Sequence, residues 1–128
     1  MNPLLLAAVA GGGALGSMAR YAVGIASVRW FGPGFPWGTL LINILGSFVI
    51  GALAEMFALR WDASQPARAF LVIGICGGFT TFSTFSLDVV TLLNRGETLP
   101  AAAYALASVI LSVMALLAAV YILRAVFN

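Results

Sequence analysis

Apolar residues fill four long runs of this chain, and polar residues gather between them. The runs extend from about Leu4 to Val28, from Trp37 to Leu59, from about Arg68 to Leu93 and from about Leu99 to Val126. Each is long enough to cross a bilayer as a helix, which takes about 20 mostly apolar residues. The connectors at 29–36, 60–66 and 94–98 hold half of the charges together with Pro and Gly breakers. Trp30, Trp37 and Trp61 fall at the predicted span ends, where amphipathic rings favour the membrane interface. The first run has no basic leader and is too long for a cleaved signal peptide, so it reads as a true span. The pattern predicts an all-α membrane protein, a single domain over residues 1–128 with four transmembrane helices.

Composition turns that pattern into a restriction on chemistry. The chain is 62% hydrophobic and 8% charged, with no histidine. A soluble domain carries about 25% charged residues. With no histidine and Cys76 as the single cysteine, neither a zinc site of the usual kind nor a Ser-His-Asp or Cys-His arrangement is available. Four carboxylates and six arginines spread along the chain do not suggest a hydrolase, so the chain reads as a non-enzyme. A formal charge of +2 is too small to point to nucleic acid.

Arginine placement adds a question of orientation. Arg60, Arg68 and Arg124 fall on the side of the N-terminus, and Arg29 and Arg95 on the other. Membrane proteins normally show a clear cytoplasmic excess. Either short loops make the comparison noisy, or the chain inserts both ways and forms an antiparallel homodimer. The twofold axis would then lie in the membrane plane, the logic of inverted repeats.

The polar positions inside the spans carry the candidate chemistry. The third run contains Gly77-Gly78-Phe79-Thr80-Thr81-Phe82-Ser83-Thr84-Phe85-Ser86. Paired glycines followed by so many hydroxyls make a weak helix, and a break in mid-membrane is predicted there. Broken backbone at that depth survives only when buried in protein or lining a cavity. A helix-packing seam of small residues is the competing reading. Phe82 and Phe85 either fill space or turn weakly positive ring edges toward an anion. Asn43, with Thr39 one turn earlier, either bonds a neighbouring helix or donates to a permeant anion. Tyr104, Ser108 and Ser112 step by four as a hydroxyl stripe, serving the helix's own carbonyls or a polar track. Arg20 either snorkels to the interface or sets a positive potential at a vestibule. Glu55 and Asp88 are expected to meet solvent or arginine, Cys76 to fill space, and Gly11-Gly12-Gly13 with Gly16 to give close helix contact.

These residues carry a resemblance. The run from Gly77 to Ser86 resembles the signature of the small Fluc (CrcB) fluoride channels, and Trp37-Gly38-Thr39-Leu40 followed by Asn43 is similar to that family's second-helix motif. The likeness covers essentially the whole chain. It implies a dual-topology antiparallel homodimer with two fluoride pores. Asn43, Phe82, Phe85, Tyr104, Ser108 and Ser112 would line them, with Thr39, Ser83 and Thr84 alongside and Arg20 at the vestibule. It also implies a structural sodium ion at the dimer interface, held by backbone carbonyls of Gly77 and Thr80. The implied role is passive fluoride export across the plasma (inner) membrane, which relieves fluoride toxicity. A small proton-coupled multidrug exporter is the alternative. Such an exporter needs an intramembrane carboxylate, and the first run offers Arg20 and no acid. A non-transporting assembly subunit is a third reading.

Overall fold

Asn2 starts the first helix, its side-chain oxygen accepting from the Leu4 N–H at 2.9 Å, while Pro3 occupies the first turn where no N–H is needed. This computed structural model describes residues 1–128, and all of its regular elements are helices. Helix α1 runs Pro3–Phe31 and stops at Gly32, whose φ of 79° suits a residue without Cβ. Helix α2 runs Trp37–Leu59, and Arg60 closes it by donating to the Met56 carbonyl at 2.9 Å. Ser64 caps the next start, accepting from the Ala67 N–H at 3.3 Å. Helix α3 covers residues 65–79, with Ala69–Cys76 wound as a wider π-helix. Helix α4 is Ser83–Asn94 and α5 is Thr98–Phe127, joined across Gly96, also at φ 79°.

Four helical segments are long and apolar enough to cross a membrane: Pro3–Phe31, Trp37–Leu59, Gln65–Asn94 and Thr98–Phe127. The second matches its sequence-based limits residue for residue, and the others extend by a few residues at their ends. Only 16 of the 128 residues are buried, so most of the apolar surface belongs to lipid or to another protein. The chain is a multi-pass membrane protein.

Two helix pairs dominate the packing: α1 lies on α3, and α2 lies on α5. Glycines explain the first pair. A Cβ on Gly12 would strike the Phe70 carbonyl, and one on Gly16 would strike the Ile75 carbonyl. From the other side, a Cβ on Gly74 would come within 2.8 Å of the Gly12 Cα, and one on Gly78 within 2.7 Å of the Gly13 oxygen. The two helices therefore meet backbone to backbone through glycines spaced by four, with dispersion and weak Cα–H contacts in place of side chains. The close contact expected of the early glycines is thus present. Gly51 plays the same part under Leu116 of α5. A small core of Leu40, Leu92, Ala101 and Tyr104 fills the opposite end, flanked by Phe35 and Phe85.

The charges divide by end. Arg124 pairs with Glu55 at 2.7 Å, and Arg60 donates to the Phe127 carbonyl at 3.2 Å. Arg68 lies over the Phe57 ring at 4.6 Å. At the other end Arg95 donates to the Gly34 carbonyl at 3.3 Å. Glu55 thus meets an arginine, as expected. Asp88 does not: it sits within α4, half-buried, and accepts from the Tyr104 hydroxyl at 2.9 Å.

Candidate functional site

Between α3 and α4 the backbone leaves the helical path. Helical residues end at Phe79, Thr80 is extended at φ −81° and ψ 159°, and helix resumes at Ser83. Every freed backbone group must find a partner, and the local hydroxyls and Asn43 supply several. Thr80 donates twice to the Cys76 carbonyl, from its N–H at 3.0 Å and its Oγ1 at 2.9 Å. Asn43 grips Thr81 at both ends, accepting from its N–H at 2.9 Å and donating to its carbonyl at 3.0 Å. Thr81 Oγ1 then caps α4 by accepting from the Thr84 N–H at 3.2 Å. Arg20 reaches across from α1, and its Nε donates to the Gly78 carbonyl at 3.0 Å.

At least four carbonyls lose their ordinary helical donors in this rearrangement, and those of Gly78 and Thr81 take Arg20 and Asn43 instead. A continuous helix would close the Thr81 N–H onto Gly77 and the Thr84 N–H onto Thr80. Those N–H groups go instead to Asn43 Oδ1 and Thr81 Oγ1. The carbonyls of Gly77 and Thr80 are left available, and carbonyl oxygen is the donor a hard cation takes. No three His, Cys, Asp or Glu side chains come together.

Two clefts open on the interruption. One, of about 590 Å³, is lined by Asn43, Thr80, Phe82, Phe85, Ser108 and Ser112, with Gly77 and Thr81 at its floor. No charged side chain lines it. The hydroxyls of Ser108 and Ser112 are buried there without an intramolecular partner. An unpaired buried hydroxyl costs about 1–3 kcal/mol. Asn43 retains its second amide N–H, because only one of its two donors is used on Thr81. Phe82 is 77% exposed, with its ring centroid 5.5 Å from that of Phe85.

The second cleft, of about 430 Å³, is charged. Arg20, Thr39, Thr84, Asp88 and Arg95 line it. Thr81 belongs to both linings. The sequence-predicted residues are therefore divided rather than gathered. Tyr104 joins neither cleft: it is wholly buried, its ring 5.3 Å from Phe85 and edge-on to Phe35 at 5.5 Å, its hydroxyl on Asp88. Ser83 is exposed and lines neither. Ser47 lines the neutral cleft and was missed, although it stands one turn after Asn43. Asp88 was missed as a wall of the charged cleft; a lone carboxylate five residues into a helix was the available signal.

The neutral cleft offers neutral donors, ring edges and free carbonyls, with no charged side chain among them. Comparison with known proteins agrees with that chemistry. The fluoride-specific ion channel FluC of Nitrobacter winogradskyi is 60% identical over 126 residues, spanning 98% of this chain and 100% of the relative. The fluoride-specific ion channel FluC 1 of Nitrobacter hamburgensis is 59% identical over 97% of this chain and 98% of its own length. The FluC channel of Agrobacterium fabrum is 53% identical over 95% and 98% respectively. Residues 7–120, from α1 into α5, match the family described as "CrcB-like protein, Camphor Resistance (CrcB)", and the chain belongs to that family, one of membrane ion channels rather than of enzymes.

Proposed function

We propose that this chain is a passive, fluoride-selective channel. The observation that carries the reading is the uncharged cleft. It presents Asn43, Ser47, Ser108 and Ser112 beside the rings of Phe82 and Phe85, and the relatives over 50% identical bear the name of fluoride channels. Fluoride is small and tightly hydrated, so a path for it must replace water with many donors. Each donor must also be weak enough to let the ion leave. Amide and hydroxyl groups meet both demands, and positive ring edges add attraction without a fixed charge. Arg20 raises the anion concentration at the mouth of the second cleft.

The working unit is an antiparallel homodimer with two pores, in keeping with the near-even arginine division and the large exposed apolar surface. The interruption at residues 80–82 lies near the middle of the third span, at mid-membrane depth. A structural sodium ion at the dimer interface would be held by the backbone carbonyls of Gly77 and Thr80, which carbonyl chemistry suits. The protein resides in the plasma (inner) membrane and lets accumulated fluoride leave the cell.

Liposomes loaded with fluoride and reconstituted with the purified dimer test this. Shunting the membrane potential is expected to release fluoride and to leave chloride inside. Folded dimer that releases neither ion would overturn the reading.

A further inference from the structure

We infer that Gly46 is a positioning residue for the ion path, a notch that receives the Thr80 methyl and fixes where the interrupted backbone stands. The inference rests on the reading of the neutral cleft as that path. A Cβ built on Gly46 would fall on Thr80 Cγ2, with Phe79 Cδ2 at 3.3 Å and Thr80 Cβ at 3.6 Å. The methyl thus occupies the space that any larger residue at position 46 would fill. Threonine cannot yield by turning about its first side-chain torsion. That rotation would pull Oγ1 from the Cys76 carbonyl, where it donates at 2.9 Å. Added bulk must therefore move the Thr80 backbone itself.

Position matters here because α2 grips the interruption at two neighbouring points. Asn43 holds the N–H and carbonyl of Thr81, and three residues later Gly46 seats the side chain of Thr80. The first grip fixes orientation through hydrogen bonds, and the second fixes approach through shape. Displacing Thr80 away from α2 strains both Asn43 bonds and shifts Phe82, two residues on. Gly46 and Thr80 also face the cleft that holds Ser108 and Ser112. A few tenths of an ångström here change the width across which an ion meets its donors.

A double-mutant cycle on the full-length dimer tests the notch, with initial fluoride efflux per folded protein as the readout. G46A alone is expected to slow efflux about tenfold while the dimer still elutes intact, since overpacking at a close contact displaces backbone. In the T80S background, where the obstructing methyl is gone and the hydroxyl remains, adding G46A is expected to change efflux less than about twofold. If G46A prevents folding, recovery of a folded, conducting dimer by G46A/T80S supports the same conclusion. Wild-type efflux with G46A equally fast overturns the notch, as does a double variant no better than G46A. Absence of efflux from the wild type would instead remove the channel reading beneath it.

Discussion

The two clefts that flank Thr81 differ in one respect above all: one is lined with charge and the other is not. Arg20, Asp88 and Arg95 stand around the first, whereas amide, hydroxyl and phenyl groups line the second. Charge acts at range and gathers ions, yet a full charge in a narrow, dry passage holds its counter-ion too firmly. Neutral donors act only at contact and release what they bind. On the channel reading proposed above, the difference separates attraction from passage, on opposite sides of one threonine.

The contrast can be broken most completely by putting a charge where there is none. N43D places a carboxylate in the neutral cleft and removes the donor to the Thr81 carbonyl, so fluoride efflux is expected to fall at least about 100-fold. Removing donors without adding charge is milder. S108A/S112A is expected to slow efflux about tenfold, the effect of losing two hydrogen bonds to the ion. F82I replaces a ring edge with an aliphatic wall and is expected to cost about fivefold. In the charged cleft, R20Q is expected to reduce efflux by about threefold at low ionic strength and by less as salt is added. N43D and F82I conducting normally would dissolve the distinction, and an R20Q effect indifferent to salt would assign Arg20 to its Gly78 contact alone.

The spans were legible because bilayer thickness imposes a length that a local reading detects. Trp37–Leu59 stands between Pro36 and Arg60 in both sequence and structure. The glycine contact of α1 was legible for a similar reason: closely spaced small residues on an apolar helix have few other uses. Asn43 was singled out, with two readings left open, and the structure gives it an inter-element bond to Thr81 while it still faces a cleft. That partner lies 38 residues away, and no periodicity within α2 identifies it. Tyr104 shows the limit of pattern alone. Its four-residue spacing from Ser108 suggested one continuous stripe, but Phe35 from the first connector and Phe85 and Asp88 from α4 converge on it and draw it into the core. Asp88 itself was expected to meet arginine or solvent. It does line the cleft that holds Arg20 and Arg95, and tertiary packing adds the Tyr104 hydroxyl, a partner that single-chain spacing does not encode.

The pairing of α1 with α3 and of α2 with α5 carries a consequence for biosynthesis. A ribosome delivers these helices in order, so the partners emerge interleaved rather than adjacent. When α2 enters the bilayer, its polar Asn43 and its open Gly51 face have nothing to meet. The contact of Gly38 with Gly24 and Ser27 can form first, and the α1–α3 glycine contact follows once α3 is made. Thr81 follows directly behind α3 and satisfies Asn43 next, and only the last helix to be translated closes over Gly51. Until then, part of the α2 packing face lacks its partner within the chain. Residues up to 94 include both partners of the Asn43–Thr81 grip, whereas Ser108 and Ser112, one wall of the neutral cleft, come only with the last helix.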